Sequence, residues 1–237
     1  MPDPGVLARA RSGTGDTVSA WAFEELSRRI VQGHLAPGAK ITEEALVRDL
    51  GASRTPLREA IKQLEELGLI VRQRNRTLRV APLQTEELVE LVRLREHIEG
   101  LAASEAARRF ATGEIDTGPL WTVIGTIADA EARLEGATRI DRIFDLGTTF
   151  HAALVELAGM ARVARIHAGI QLALARYRFV NARDKRRLNH RSAEHREILE
   201  AVESGDPAAA EAAMRIHIRE GLRAYATNPD DGVDRTA

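Results

Sequence analysis

Cysteine is absent from the 237 residues. Its absence excludes disulfides and every thiolate metal site, and it fits a reducing cytoplasm. Aromatic residues are scarce, at 4%. The Ala, Leu, Glu and Arg that dominate instead favour helix over sheet. No apolar run approaches the length of a membrane span, and the first twenty residues lack the apolar core of a signal peptide. A soluble intracellular protein with no membrane partner is expected. Charge of one sign is also lacking: the formal net charge is −1, so total charge carries no signal for nucleic acid.

A chain of 237 residues with 44% hydrophobic content is long enough to bury two cores. Residues 1–16, rich in Gly, Pro, Ser and Asp, read as a disordered N-terminus. Helical periodicity predicts helices over 17–32 and 42–50, the second with Thr42 as N-cap and Gly51 as its stop. A third helix follows Ser53, read as its cap, with Pro56 in the first turn and Gly68 as the C′ glycine. Two short strands are predicted over 69–73 and 77–80, joined by a turn at Arg74-Asn75-Arg76. Helix, helix, helix and hairpin is the order of a winged helix-turn-helix, over 17–82. After a hinge near Pro82, helices are predicted over 85–110, 115–135, 139–158, 161–181, 191–203 and 207–226, with Asp206-Pro207 a start signal. The fold class is thus mainly α, a winged helix-turn-helix followed by an all-helical antiparallel bundle over 83–226. Residues 227–237 read as a disordered tail.

In the third helix Leu57, Ala60, Ile61 and Leu64 share one stripe. Thr55, Arg58 and Lys62 fall opposite it, with Arg54 beside them at the N-terminus. Arg pairs bidentately with guanine, and Thr reaches a base edge or a thymine methyl. Residues 68–82 hold Arg72, Arg74, Arg76 and Arg79 and no acid, a hairpin suited to phosphate or the minor groove.

Three stretches carry a resemblance: Gly33-His34-Leu35-Ala36-Pro37-Gly38, Asp49-Leu50-Gly51-Ala52-Ser53-Arg54-Thr55-Pro56-Leu57-Arg58-Glu59-Ala60, and Leu64-Glu65-Glu66-Leu67-Gly68-Leu69-Ile70. They resemble the GntR family of transcription regulators, and residues 17–226 as a whole resemble its FadR-like subgroup, with an all-helical FCD ligand domain. The resemblance implies that Arg54, Thr55 and Arg58 contact operator DNA, with Ser53, Lys62 and the wing residues Arg74 and Arg76 beside them. Glu44 stands where such regulators often carry an Arg, and Arg48 is the cation available to substitute. Thr77 stands where the wing usually has Gly.

His151, His195 and His217 each lie on an apolar stripe of a different predicted helix. Neutral imidazoles from different helices suit zinc, nickel or a similar divalent ion. His167 also lies on a partly apolar stripe, so periodicity alone does not show which of the four meet. The resemblance separates them: many FCD domains hold a metal through an Asp four residues before a His, plus two later histidines, and His151, His195 and His217 match the histidine positions. The Asp position is Gly147. Asp145 points about 120° away from His151 by the 3.6-residue period.

Arg95 shares a stripe with Leu88, Leu91, Ile98 and Ala102. A buried guanidinium needs an anion, either Glu99 one turn on or, by the resemblance, the carboxylate of a small organic acid. The resulting expectation is a ligand-responsive, DNA-binding homodimer on a palindromic operator, and not an enzyme. The alternatives are a metal-dependent enzyme, which leaves 17–82 unexplained, and a DNA-binding dimer without an effector.

Overall fold

The computed structural model describes residues 15–74, 77–177 and 190–226. The segments read from sequence as disordered (apart from residues 15 and 16), the wing residue Arg76, and the end of the helix predicted to reach 181 lie outside them. Internal contacts divide the chain into two compact units, residues 1–83 and 84–237.

The first unit holds helices α1 (Gly15–Val31), α2 (Glu43–Leu50) and α3 (Arg54–Glu66) with strands β1 (Lys40–Ile41), β2 (Ile70–Arg72) and β3 (Leu78–Val80). Its core is the apolar stripe of α3, with Leu57, Ala60, Ile61 and Leu64 buried against Ala22, Leu26 and Ile30 of α1 and Leu46 and Leu50 of α2. Burying such side chains contributes roughly 1.5–3 kcal/mol each. Thr42 caps α2 as its sequence position predicts, its hydroxyl accepting from the Ala45 N–H at 3.2 Å. Ser53 occupies the N-cap position of α3, but its side chain makes no capping hydrogen bond. The cap predicted there is one of position only, and the Ser53 hydroxyl stays exposed.

The wing is a three-stranded antiparallel sheet in the order β1-β3-β2. Val71 pairs with Arg79 on one side of β3, and Lys40 pairs with Arg79 on the other. The two-residue strand β1 is absent from the sequence-based prediction, because two residues are too few to show an alternating pattern.

The second unit consists of α4 (Thr85–Ala111), α5 (Gly118–Arg133), α6 (Gly136–Leu157), α7 (Ala161–Ala175), α8 (Arg191–Glu203) and α9 (Pro207–Ala226). Asp206 caps α9, accepting from the N–H groups of Ala208 and Ala209 at 2.8 and 3.2 Å. Helix α4 is the axis: α6, α7, α8 and α9 all pack on it. Its second half buries Gly100, Ala102, Ala103, Ser104, Ala106 and Ala107, and these small residues let several helices approach at once. A Cβ on Gly100 would meet the Arg215 side chain at 2.9 Å, so α9 depends on that glycine for its closeness. Helices α5 and α6 close the bundle through Ile127, Ala130, Ile143 and Leu146. Among the described residues no helix is long and apolar enough to cross a membrane.

Thr42→Ala is expected to lower the stability of the first unit by about 1 kcal/mol. Ser53→Ala should cost far less, since only Thr42 bonds the backbone. Urea unfolding followed through Trp21 fluorescence, in a Trp121→Phe background, measures both, and equal losses would contradict this account of the caps.

Candidate functional site

Three helices converge on one point inside the second unit. His151 comes from α6, His195 from α8 and His217 from α9, and all three are buried. One nitrogen from each ring lies within 4.8 Å of the others. His151 Nε2 is 3.3 Å from His195 Nε2 and 3.2 Å from His217 Nε2. Phe150 stacks on the His195 ring at 4.3 Å between centroids and fixes its plane.

The outer ring nitrogens have their own neighbours. His151 Nδ1 lies 2.7 Å from Oε2 of Glu99, and His217 Nδ1 lies 2.8 Å from Oε2 of Glu194. Both are ion-pair contacts at hydrogen-bond distance. A ring nitrogen that close to a carboxylate oxygen carries the proton. The opposite nitrogen of a neutral ring then presents its lone pair. His151 Nε2 and His217 Nε2 face each other across 3.2 Å, two imidazole nitrogens aimed at one point.

The His151 and His195 rings are neutral at ordinary pH. Burial pulls His151 down to about 4, against the opposing pull of Glu99. Burial holds His195 well below the ordinary imidazole range, and the nearby His217 and His151 push it further down. Neutral imidazole is the form that binds a metal. Zinc–nitrogen bonds of about 2.0–2.1 Å in a tetrahedral set place their nitrogens roughly 3.3 Å apart, which the measured separations match. The residues fit a divalent cation of the zinc class.

Gly147 is buried on α6, and a Cβ there would meet His195 Cε1 at 3.6 Å, an ordinary contact. A side chain at 147 would border the histidine cluster, and the sequence supplies none. Asp145 is exposed and does not replace it.

The carboxylate that does reach the cluster is Glu99 of α4, with no exposed surface. Its Oε1 accepts from Arg95 Nε at 2.6 Å and lies 2.7 Å from His167 Nε2. His167 is thereby placed outside the triad but one carboxylate away from it. Burial alone would raise the Glu99 carboxyl, but the charge of Arg95 and the contacts with His151 and His167 overcome this and hold it well below the ordinary carboxylate range. Arg95, the expected effector anchor, spends its Nε on this ion pair, with its side chain 19% exposed. The sequence pattern paired Arg95 with Glu99 as one of two readings. It gave no sign that the same carboxylate meets His151, because contact across helices is not written in the period of either one.

In the first unit Arg48, Ser53, Arg54, Thr55, Arg58, Lys62 and Arg74 are all exposed. Ser53 to Lys62 follow one another along the outer side of α3. Arg58 Nε binds Glu43 Oε2 at 2.7 Å, and Lys62 lies 3.7 Å from Glu66. Two wing arginines are engaged within the fold. Arg72 pairs with Glu65, and Arg79 donates to the Gly38 carbonyl at 2.8 Å. Arg79 thus braces the sheet against the turn before β1.

Arg95→Ala removes a charged hydrogen bond from a buried carboxylate, an interaction worth about 1.5–3 kcal/mol. The variant should unfold at lower denaturant or temperature in metal-free buffer. An unchanged unfolding midpoint with EDTA present would show that His151 and His167 alone satisfy Glu99.

Comparison with known proteins agrees with this organisation. The profile described as "Bacterial regulatory proteins, gntR family" matches residues 19–80, and the one described as "FCD domain" matches residues 90–220. The chain is 31% identical over 228 residues to a "Probable D-xylose utilization operon transcriptional repressor" of Paenarthrobacter nicotinovorans, covering 96% of each. It is 26% identical over 208 residues to the HTH-type transcriptional repressor GlaR of Escherichia coli (strain K12), covering 83% of this chain and 90% of the relative. In fold it resembles E. coli McbR/YncC, with a TM-score of 0.70 at 17% identity, covering 88% of this chain and 96% of that one. A transcriptional regulator GntR from Rhodococcus sp. RHA1 gives a TM-score of 0.68 at 22% identity, covering 89% and 98%. The chain belongs to the GntR family of bacterial transcription regulators, with an FCD domain behind its DNA-binding helix-turn-helix, a family of regulators and not of enzymes.

Proposed function

We propose that this regulator is a cytoplasmic homodimer whose operator binding answers to a small carboxylate, held in the bundle by a divalent cation on His151, His195 and His217 together with Arg95. The observation that carries the reading is the convergence of three buried imidazoles, with His151 Nε2 3.3 Å from His195 Nε2 and 3.2 Å from His217 Nε2. Zinc and nickel are the cations of choice for three imidazoles without a thiolate. Such an ion supplies a Lewis-acid anchor for a carboxylate oxygen. With Gly147 contributing no ligand, the protein provides three donors, and the remaining positions are left for water or effector.

Arg95 sits one turn before Glu99 on α4, partly exposed. Its Nε holds Glu99 at 2.6 Å and its Nη2 reaches the same carboxylate at 3.5 Å, and the Nη1 arm is suited to a carboxylate from the effector. In the first unit, Arg54, Thr55, Arg58 and Lys62 face DNA from α3, with Ser53 at its start. Arg48 adds a phosphate contact, as do Arg74 and Arg76 from the wing. A two-fold dimer would place two such helices on a palindromic operator, about one helical turn apart. The operator partner follows from the family, and the dimer and the effector class are the parts proposed.

The cation is tested by competition with a chromophoric chelator at pH 8, in wild type, His217→Ala, Gly147→Ala and Gly147→Asp. Wild type should bind zinc and melt at higher temperature with it than with EDTA. His217→Ala should lose affinity by at least tenfold. Gly147→Ala should bind like wild type, and Gly147→Asp should bind more tightly by supplying a fourth donor. Absence of zinc binding in wild type would end the metal reading. For the DNA face, Arg58→Ala should weaken operator binding by roughly 1–3 kcal/mol while sparing non-specific binding. Fluorescence anisotropy at several salt concentrations separates the two, and an operator affinity equal to wild type would remove Arg58 from the recognition surface. A thermal-shift screen of organic acids addresses the effector, with D-xylose included because one relative's name concerns that sugar.

A further inference from the structure

We infer that Glu99 is the positioning residue of the histidine cluster, setting which nitrogen of His151 carries the proton and so whether its Nε2 is open to a cation. This inference rests on the metal reading for its purpose, but its geometric basis is independent of any bound ion.

The argument begins with the two oxygens of one buried carboxylate. Oε1 accepts from Arg95 Nε at 2.6 Å, and arginine is a donor only, with no means of accepting. Oε1 therefore has to be an acceptor. Oε2 faces His151 Nδ1 at 2.7 Å. Because the carboxylate has no proton to give, His151 must present Nδ1–H to it, and the lone pair then falls on Nε2, toward His195 and His217. His167 Nε2 lies on the Oε1 side at 2.7 Å, a second donor that helps fix the carboxylate plane. Three helices, α4, α6 and α7, are thus tied through one side chain that touches the cluster only through the back of His151. Carboxylates that orient a ligating histidine in this way typically change metal affinity 10–100-fold when removed.

The same geometry makes Glu99→Gln diagnostic. Arg95 Nε donates to Oε1 at 2.6 Å and Nη2 reaches Oε2 only at 3.5 Å, so the amide oxygen takes the Oε1 place, where the stronger arginine donor lies. The –NH2 then takes the place of Oε2 and points at His151 Nδ1. His151 must accept there, and its proton moves to Nε2, into the cluster. A nearly isosteric change on α4 thereby closes the nitrogen that α6 offers.

The test uses full-length protein labelled with 15N-histidine and kept metal-free, with long-range 1H–15N correlation to read the tautomer of each ring. Wild-type His151 should be the Nδ1–H form, and Glu99→Gln should convert it to Nε2–H. Zinc affinity from chelator competition should fall by 10–100-fold in Glu99→Gln. Should the variant fail to fold, the wild-type spectrum alone decides, because an Nε2–H His151 in metal-free wild type overturns the inference. A folded Glu99→Gln protein with unchanged tautomer and zinc affinity overturns it as well. If wild type binds no zinc while the tautomer still switches with Glu99→Gln, the positioning role stands and the metal reading falls.

Discussion

A carboxylate with no exposed surface sets the terms for the whole bundle. Removing an ionised Glu from water costs several kcal/mol even after relaxation, and Glu99 is paid back only if donors surround it. Arg95 from its own helix and His151 and His167 from α6 and α7 do so. None of these contacts is local except the first. The bundle must therefore bring α4, α6 and α7 into one register before the charge is satisfied. Once they are, His151 is aimed at His195 and His217, and α8 and α9 join the same arrangement. The small residues along the second half of α4 make this approach possible, because larger side chains would hold α6 to α9 too far from its axis.

If the cluster holds a cation as proposed, the carboxylate supports it in the absence of a side chain at 147. A donor there would act from within the triad. Glu99 acts from behind one of its rings, through charge and tautomer, so it adds orientation without filling a coordination position. Helix α7 extends this framework. His167 fastens its middle to Glu99, and just past its end Arg176 and Tyr177 both hold Glu87. The Tyr177 hydroxyl gives its proton to Glu87 and accepts from the Gln84 N–H. Helices α4 and α7 are thus clamped at two levels, one beside the histidines and one at the first residue of the unit.

Sequence periodicity made most of this architecture legible. Most helices begin and end within a few residues of their predicted limits, because caps such as Thr42, Asp206 and Gly51 act locally, whereas α7, predicted to reach 181, stops at Ala175. The buried faces of His151, His195 and His217 follow from the same period. What the period omits is which buried faces meet. His167 and His151 look alike on their stripes, and only the fold puts one in the triad and the other on Glu99. Sequence also misjudged groups whose local chemistry has two outcomes. Ser53 stands at a cap position without bonding the backbone, and Arg72 and Arg79 are drawn into the sheet although they alternate with Arg74 on a hairpin that looks uniformly basic.

The reading face follows a different economy from the bundle. Arg58 is bound to Glu43 in the absence of DNA, which at first suggests a residue already committed. The pair is largely exposed on the arginine side, and exposed ion pairs contribute about 0–1 kcal/mol. If Arg58 reads a base as proposed, a bidentate contact with a guanine edge, worth about 1–3 kcal/mol of discrimination, outweighs that pair. The Glu43 contact instead keeps a long side chain extended over the outer face of α3 and limits the rotamer entropy left to lose on binding. Where the bundle needs its charge pairs to be permanent, the DNA-binding unit needs this one to be weak. The difference between them is burial: Glu99 has no water to turn to, and Arg58 has water on every side but one.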